Sequence, residues 1–104
     1  MNDFLERLLK QLEAGRDSAL LRLSLAQTLL TSDPEQALDH AERALAFDPA
    51  YTAALKARAR ALDLLGQSDA AISAYEQAIA VAAERGDKQA EREMQVWLKR
   101  LRRG

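Results

Sequence analysis

A single histidine, His40, and no cysteine occur in this chain of 104 residues. With one imidazole and no thiol, the usual nucleophile–base pairs cannot be assembled. His40 lies beside Ala37-Leu38 and Ala41 and reads as a solvated histidine on the polar side of its helix. One histidine among scattered carboxylates does not make a metal site. The acidic residues are interspersed with basic ones along helix faces, and read as solvated surface and helix caps rather than as an acid/base pair. None of the glycines belongs to a phosphate-cradling loop, since each follows a helix or ends the chain. The remaining concentration of charge is Lys99, Arg100, Arg102 and Arg103. Cations there complement a helix C-terminus and keep a terminal unit soluble. No aromatic is interleaved with them, so a nucleic-acid partner is disfavoured. Catalytic residues, metal ligands and cofactors are therefore expected to be none.

The elements that would position a site are helices. Alanine and leucine dominate the composition, while valine, isoleucine and threonine are scarce, a bias toward helix over sheet. The net charge of -1 gives no overall pull toward nucleic acid or an anionic membrane. The absence of cysteine excludes disulfides and fits a reducing compartment. The apolar residues of the first helix are interrupted by Glu6, Arg7 and Lys10, which no signal peptide tolerates, and no run approaches the ~20 apolar residues of a membrane span. A soluble cytoplasmic protein is the expectation.

Six helices are predicted. The first runs from about Asp3 to Ala14, capped by Asn2 or Asp3 and stopped by Gly15. The second runs from about Ser18 to Thr31, capped by Asp17 or Ser18, with Leu21, Leu25, Ala26 and Leu29 as its buried stripe. Ser32-Asp33-Pro34-Glu35 starts the third, which Asp48-Pro49 ends near Phe47. The fourth spans about Ala50 to Leu65 and stops at Gly66. Ser68 or Asp69 caps the fifth, which runs to about Glu84. Gly86 and Asp87 then separate it from the sixth, ending near Leu101. Connections this short make neighbouring helices antiparallel.

The middle of the chain repeats. Ala37-Leu38, Ala41 and Ala44-Leu45 return as Ala71-Ile72, Tyr75 and Ala78-Ile79, all at one constant offset. A period of this length is the mark of stacked helical units, and small residues at each recurrence let two helix backbones approach closely. The flanking helices fall on the same frame. Ala90, Met94 and Trp97 repeat Leu55, Ala59 and Leu62, placing the sixth helix as the first helix of a unit. Leu5, Leu8 and Leu12 precede Leu38, Ala41 and Leu45, placing the first helix as the second of a unit. Trp97 then reads as core, packed on the fifth helix.

These residues resemble the tetratricopeptide repeats, two-helix units of about 34 residues. One unit covers 19–51, with Leu25-Ala26, Leu29, Ala37, Ala41, Ala44 and Pro49 on the family pattern. A second covers 52–85, with Leu55, Ala59, Leu62, Gly66, Ala71, Tyr75 and Ala78. The first lacks the family's turn glycine, Ser32-Asp33-Pro34 standing in its place. The second has Arg58 where a large apolar residue is usual and Ala83 where a closing proline is usual. The resemblance implies a single all-α domain over 1–104, a right-handed α-solenoid of six helices with capping helices at 3–14 and 87–102.

It also implies a function. In such proteins the first helix of each unit lines a concave groove that holds an extended peptide or a partner helix. Carried onto this chain, that groove is Leu23, Gln27 and Leu30, then Lys56, Arg60 and Asp63, then Glu91, Gln95 and Leu98. Some members clamp a C-terminal carboxylate. Lys56 matches the lysine of such a clamp, but Arg60 stands where an asparagine is usual, and Leu23 and Gln27 replace its other pair. Lys56 and Arg60, one turn apart, can still pair an acidic side chain. The expected function is a non-catalytic protein-interaction module, with Leu23, Leu30 and Leu98 giving apolar contact and Gln27, Lys56, Arg60 and Gln95 polar readout. The alternative is a self-assembling, homodimeric unit, suggested by the many leucines of the first two helices, including Leu5, Leu9, Leu12, Leu20 and Leu23. Binding of an anion or a nucleic acid by the basic C-terminal turn is a third, weaker reading.

Overall fold

A computed structural model describes residues 3–104, so Asn2 as a helix cap lies outside the described residues. Within them six helices follow one another: α1 Asp3–Glu13, α2 Ala19–Leu29, α3 Pro34–Phe47, α4 Thr52–Leu64, α5 Ser68–Glu84 and α6 Lys88–Arg102. No strand occurs among the described residues. Each helix packs on its neighbours in sequence, and α2, α4 and α6 also touch in series. This builds an all-α helical repeat, 42 × 28 × 19 Å, with no central core.

The helix boundaries follow local chemistry. Ser18 caps α2 by accepting a hydrogen bond from the Leu21 N–H at 3.0 Å, and Asp33 caps α3 by accepting from Gln36 at 3.2 Å, ahead of Pro34. Asp87 does the same for α6 through the Ala90 N–H. The start of α5 departs from expectation. Ser68 is its first helical residue, and Gln67 holds the cap position without a side-chain bond. The fourth helix also starts later than its sequence suggests, at Thr52 rather than Ala50, because the Tyr51 N–H is drawn back to the Asp48 carbonyl in the turn after α3.

Gly66 ends α4 at φ +76°, where its N–H reaches the Asp63 carbonyl and the next N–H reaches Leu62. This left-handed cap satisfies two carbonyls that the helix end would leave open. A Cβ placed there would meet nothing within 4 Å, so the cost of a side chain is one of backbone conformation alone. Gly66→Ala is expected to lower stability by about 1 kcal/mol, read as a shifted thermal midpoint without loss of helix content.

Packing falls into three clusters. Leu8, Leu21 and Leu25 join α1 to α2. Leu23 and Ala26 of α2 meet Ala41 and Ala44 of α3 and Ala54 and Ala57 of α4. Leu55 and Ala59 meet Ala74, Tyr75, Ala78 and Ala82 of α5, and Met94 and Leu98 of α6. The alanines at each recurrence are almost fully buried, as close helix approach requires. Arg58, in a position usually apolar, is partly buried and donates through Nη2 to Gln77 Oε1.

His40 is not a surface residue. It is 8 % exposed, with Arg22 of α2 donating from Nη1 to its Nδ1 at 3.1 Å. The reason is helical phase. His40 follows Ala37 by three and precedes Ala44 by four, and therefore shares their inward side. Arg22 in turn is held by both oxygens of Asp17, at 2.8 and 2.9 Å.

Candidate partner-binding surface

The nine groove residues are placed unequally. Gln27 and Gln95 are exposed, while Leu30, Lys56, Arg60, Asp63 and Glu91 are partly buried. Leu23 and Leu98 are 6 % and 7 % exposed, which corrects the expectation that they offer apolar contact. Alanines explain the first case: Ala54 and Ala57 bring α4 so close that Leu23 is taken up between helices. Leu98 is consumed the same way by α5.

The two groove cations are also engaged within the chain. Lys56 donates to Glu93 Oε1 at 2.8 Å. Both partners are partly solvated, so this ion pair contributes at most ~1 kcal/mol. The Arg60 guanidinium lies 4.2 Å from the centre of the Trp97 ring, with Lys56 Nζ at 5.8 Å on the same ring. Trp97 is partly buried, and its other neighbour is Tyr75 of α5, 6.2 Å away and tilted by 56°. A guanidinium over an indole is attracted by the ring's negative face and keeps its edge N–H groups available for another acceptor.

Beside this stack lies an open cleft of about 480 Å³, lined by Arg60, Asp63, Ser68, Trp97, Arg100, Leu101 and Gly104. Two guanidinium groups face one carboxylate there. The ion pairs among the described residues are Asp17–Arg22, Asp39–Arg43, Lys56–Glu93 and Glu76–Arg102, so neither Arg60 nor Arg100 belongs to one. The cleft thus combines an aromatic wall with two cations that hold no carboxylate. The structure joins Arg60 and Asp63 of the expected groove to Trp97 and Arg100 in one cleft, which Lys56 does not line. Arg100 was legible only as one of a run of C-terminal charges, and nothing local marks Glu93 as the residue that binds Lys56.

Tyr75 borders the same region. Burial, with the Asp63 carboxylate adding to it, pushes its phenol up to about 12. Among the described residues its hydroxyl has no hydrogen-bond partner. No group of three or more metal-ligating side chains occurs among the described residues, and no helix there is long and apolar enough to cross a membrane.

Comparison with known proteins bears on this arrangement. No protein-family model matches the sequence. A TPR repeat-containing protein of Pseudomonas aeruginosa is 43% identical over 100 residues, covering 95% of each chain. The chain belongs to the tetratricopeptide repeat (TPR) family. The TPR fold is seen again in two solution structures. A Bordetella parapertussis protein matches with a TM-score of 0.88 at 39% identity, over 99% of this chain and 90% of that one. A tetratricopeptide repeat domain protein of Salinibacter ruber matches with a TM-score of 0.72 at 29% identity, over 82% and 87%. TPR units stack into an extended face of the kind that receives protein partners, and this chain shares that architecture.

Proposed function

We propose that this chain is a non-catalytic interaction module that binds an acidic peptide or the acidic face of a partner helix in the cleft between α4 and α6. In this reading, units 19–51 and 52–85 form the platform, and α1 and α6 are half-units at its ends. Arg60 and Arg100 receive carboxylates, and Trp97 packs against the apolar part of the ligand. Gln27, Leu30, Glu91 and Gln95 extend the contact along the repeat, while Leu23, Leu98 and Lys56 hold the helices that present it.

The observation that carries this reading is the guanidinium of Arg60 stacked at 4.2 Å on Trp97 at the edge of an open cleft. Stacking fixes the orientation of the fork before a ligand arrives, which lowers the entropy lost on binding. Trp97 is the chain's one tryptophan, so its fluorescence reports on this cleft alone. Selection from a random peptide library should enrich acidic sequences that change that fluorescence on binding. Arg60→Glu with Arg100→Glu should weaken the selected peptides at least about tenfold, and more at low ionic strength. Enrichment of the same peptides by the doubly reversed variant would place the binding surface elsewhere.

A further inference from the structure

The two ends of the chain are complementary halves of a junction that its interior already contains. Inside, Leu23 and Ala26 of α2 are received by Ala41 and Ala44 of α3 and by Ala54 and Ala57 of α4, with Ala53 beside them. One repeat earlier in the chain, the places of these receivers are held by Leu8 and Gln11 on α1, and by Leu21, Ser24 and Leu20 on α2. Those five line a single open cleft of about 260 Å³, together with Phe4 and Ser18. The receiving half of the junction thus recurs between α1 and α2, with no helix of the described residues in it.

The other end of the chain presents an open groove. Leu45 of α3 is covered by the repeat that follows, where it packs against the cluster built around Tyr75. Its counterpart one repeat on, Ile79, packs against the same cluster and also lines an open groove of about 630 Å³ with Glu76, Gln95, Leu98, Lys99 and the last arginines. By register this groove lies where the second helix of the next unit belongs, and α1 is a second helix by register.

We propose that the occupant is a second copy of this chain, joined head to tail. The α6 helix of one copy enters the α1–α2 cleft of the next, while α1 of that copy lies along the α5–α6 groove. Charge selects this pairing. Within a unit the helices are antiparallel, so the first turn of the second helix lies beside the last turn of the first. The first turn of α1 carries Asp3 and Glu6, and the last turn of α6 carries Lys99, Arg100 and Arg102. Lys99, Arg102 and Arg103 line the groove that α1 would occupy. Phe4 and Gln11 stand where α3 has the small Ala37 and Ala44, so the incoming helix sits farther out. The two surfaces differ from one another, so the contact is heterologous and does not close at two copies.

Sedimentation from micromolar to millimolar concentration tests this. The mass of the wild-type chain should rise beyond that of a dimer, and less so in high salt. Leu20 is 66 % exposed, so Leu20→Glu blocks the cleft without touching packing. Lys99→Glu with Arg103→Glu blocks the groove. Each variant should melt like the wild type yet associate at least about tenfold more weakly. Mixed, the two should form a one-to-one dimer that grows no further, because each retains one intact surface. A wild-type chain that stays monomeric throughout, a closed dimer, or association untouched by either variant would overturn the proposal.

Discussion

Tyr75→Ala should destabilise the protein by about 3–5 kcal/mol, whereas Tyr75→Phe should be neutral or stabilising. Tyr75 is fully buried and stands at the meeting point of α4, α5 and α6, in contact with a cluster that includes Leu55, Ala59 and Met94. Truncation opens a cavity where three helices converge, and the alanines around it cannot collapse to fill the space. The hydroxyl is a separate matter. Buried without a partner among the described residues, it adds a desolvation cost that Phe removes while keeping the ring contact with Trp97. Chemical denaturation of both variants decides. A Phe variant more than about 1 kcal/mol less stable than wild type would mean that the hydroxyl is bonded. A loss of this size from Tyr75→Ala is a large part of the roughly 5–15 kcal/mol typical of a domain, so the variant is expected to be close to unfolded at body temperature.

Arg22→Ala is expected to cost about 1–3 kcal/mol and to change how stability depends on pH. The guanidinium fixes the protonation state of His40. Arginine has no acceptor, so Nδ1 of His40 must accept, and the ring is neutral with its proton on Nε2. Burial, and next the Arg22 charge, hold the His40 pKa below its ordinary 6.5, with Asp39 opposing. An imidazole that binds protons less readily when folded leaves stability intact above 6.5, and stability falls as pH drops through 6.5 toward the lower folded value. Asp17 adds a second stage. Its hydrogen bonds to Arg22 hold its carboxyl below 3.8, so its contribution is present above that value and lost at more acid pH. Melting curves should therefore show a first decline beginning below about pH 6.5, which His40→Gln abolishes, and a second at lower pH, which it leaves in place. An unchanged first decline in the His40 variant would assign it to other groups.

Much of the architecture could be read from the chain because the signals are local. Pro34, Pro49, Gly66 and Gly86 each act on their immediate neighbours, and the alanines at 37, 41 and 44 and again at 71 and 78 state the period outright. The placement of side chains between helices was less legible. His40, beside Ala37-Leu38 and Ala41, reads from the sequence as lying on the polar side of its helix, yet its helical phase puts it inside. Leu23 looked like groove surface because its position is usually exposed in such repeats, and only the alanines of α4, beyond the intervening α3, show that it is swallowed. The Arg60–Trp97 stack joins helices separated in sequence by the whole of α5, and depends on how far α6 rotates against α4, which no local pattern encodes. The cleft with Arg100 follows from that rotation, and so only its individual cations were visible beforehand.

With no central core, the molecule opens piece by piece. Among the described residues α1 touches only α2, and each later helix leans on those next to it. Local contacts of this kind make folding fast and let disorder spread from the ends inward rather than all at once. Amide exchange should then be graded along the chain, quickest in α1 and slowest around α4 and α5, which are held on both sides. A molecule built in this way has no single breaking point. Loss of α1 is expected to leave the Arg60 cleft in shape, since no residue lining that cleft lies on α1 or α2.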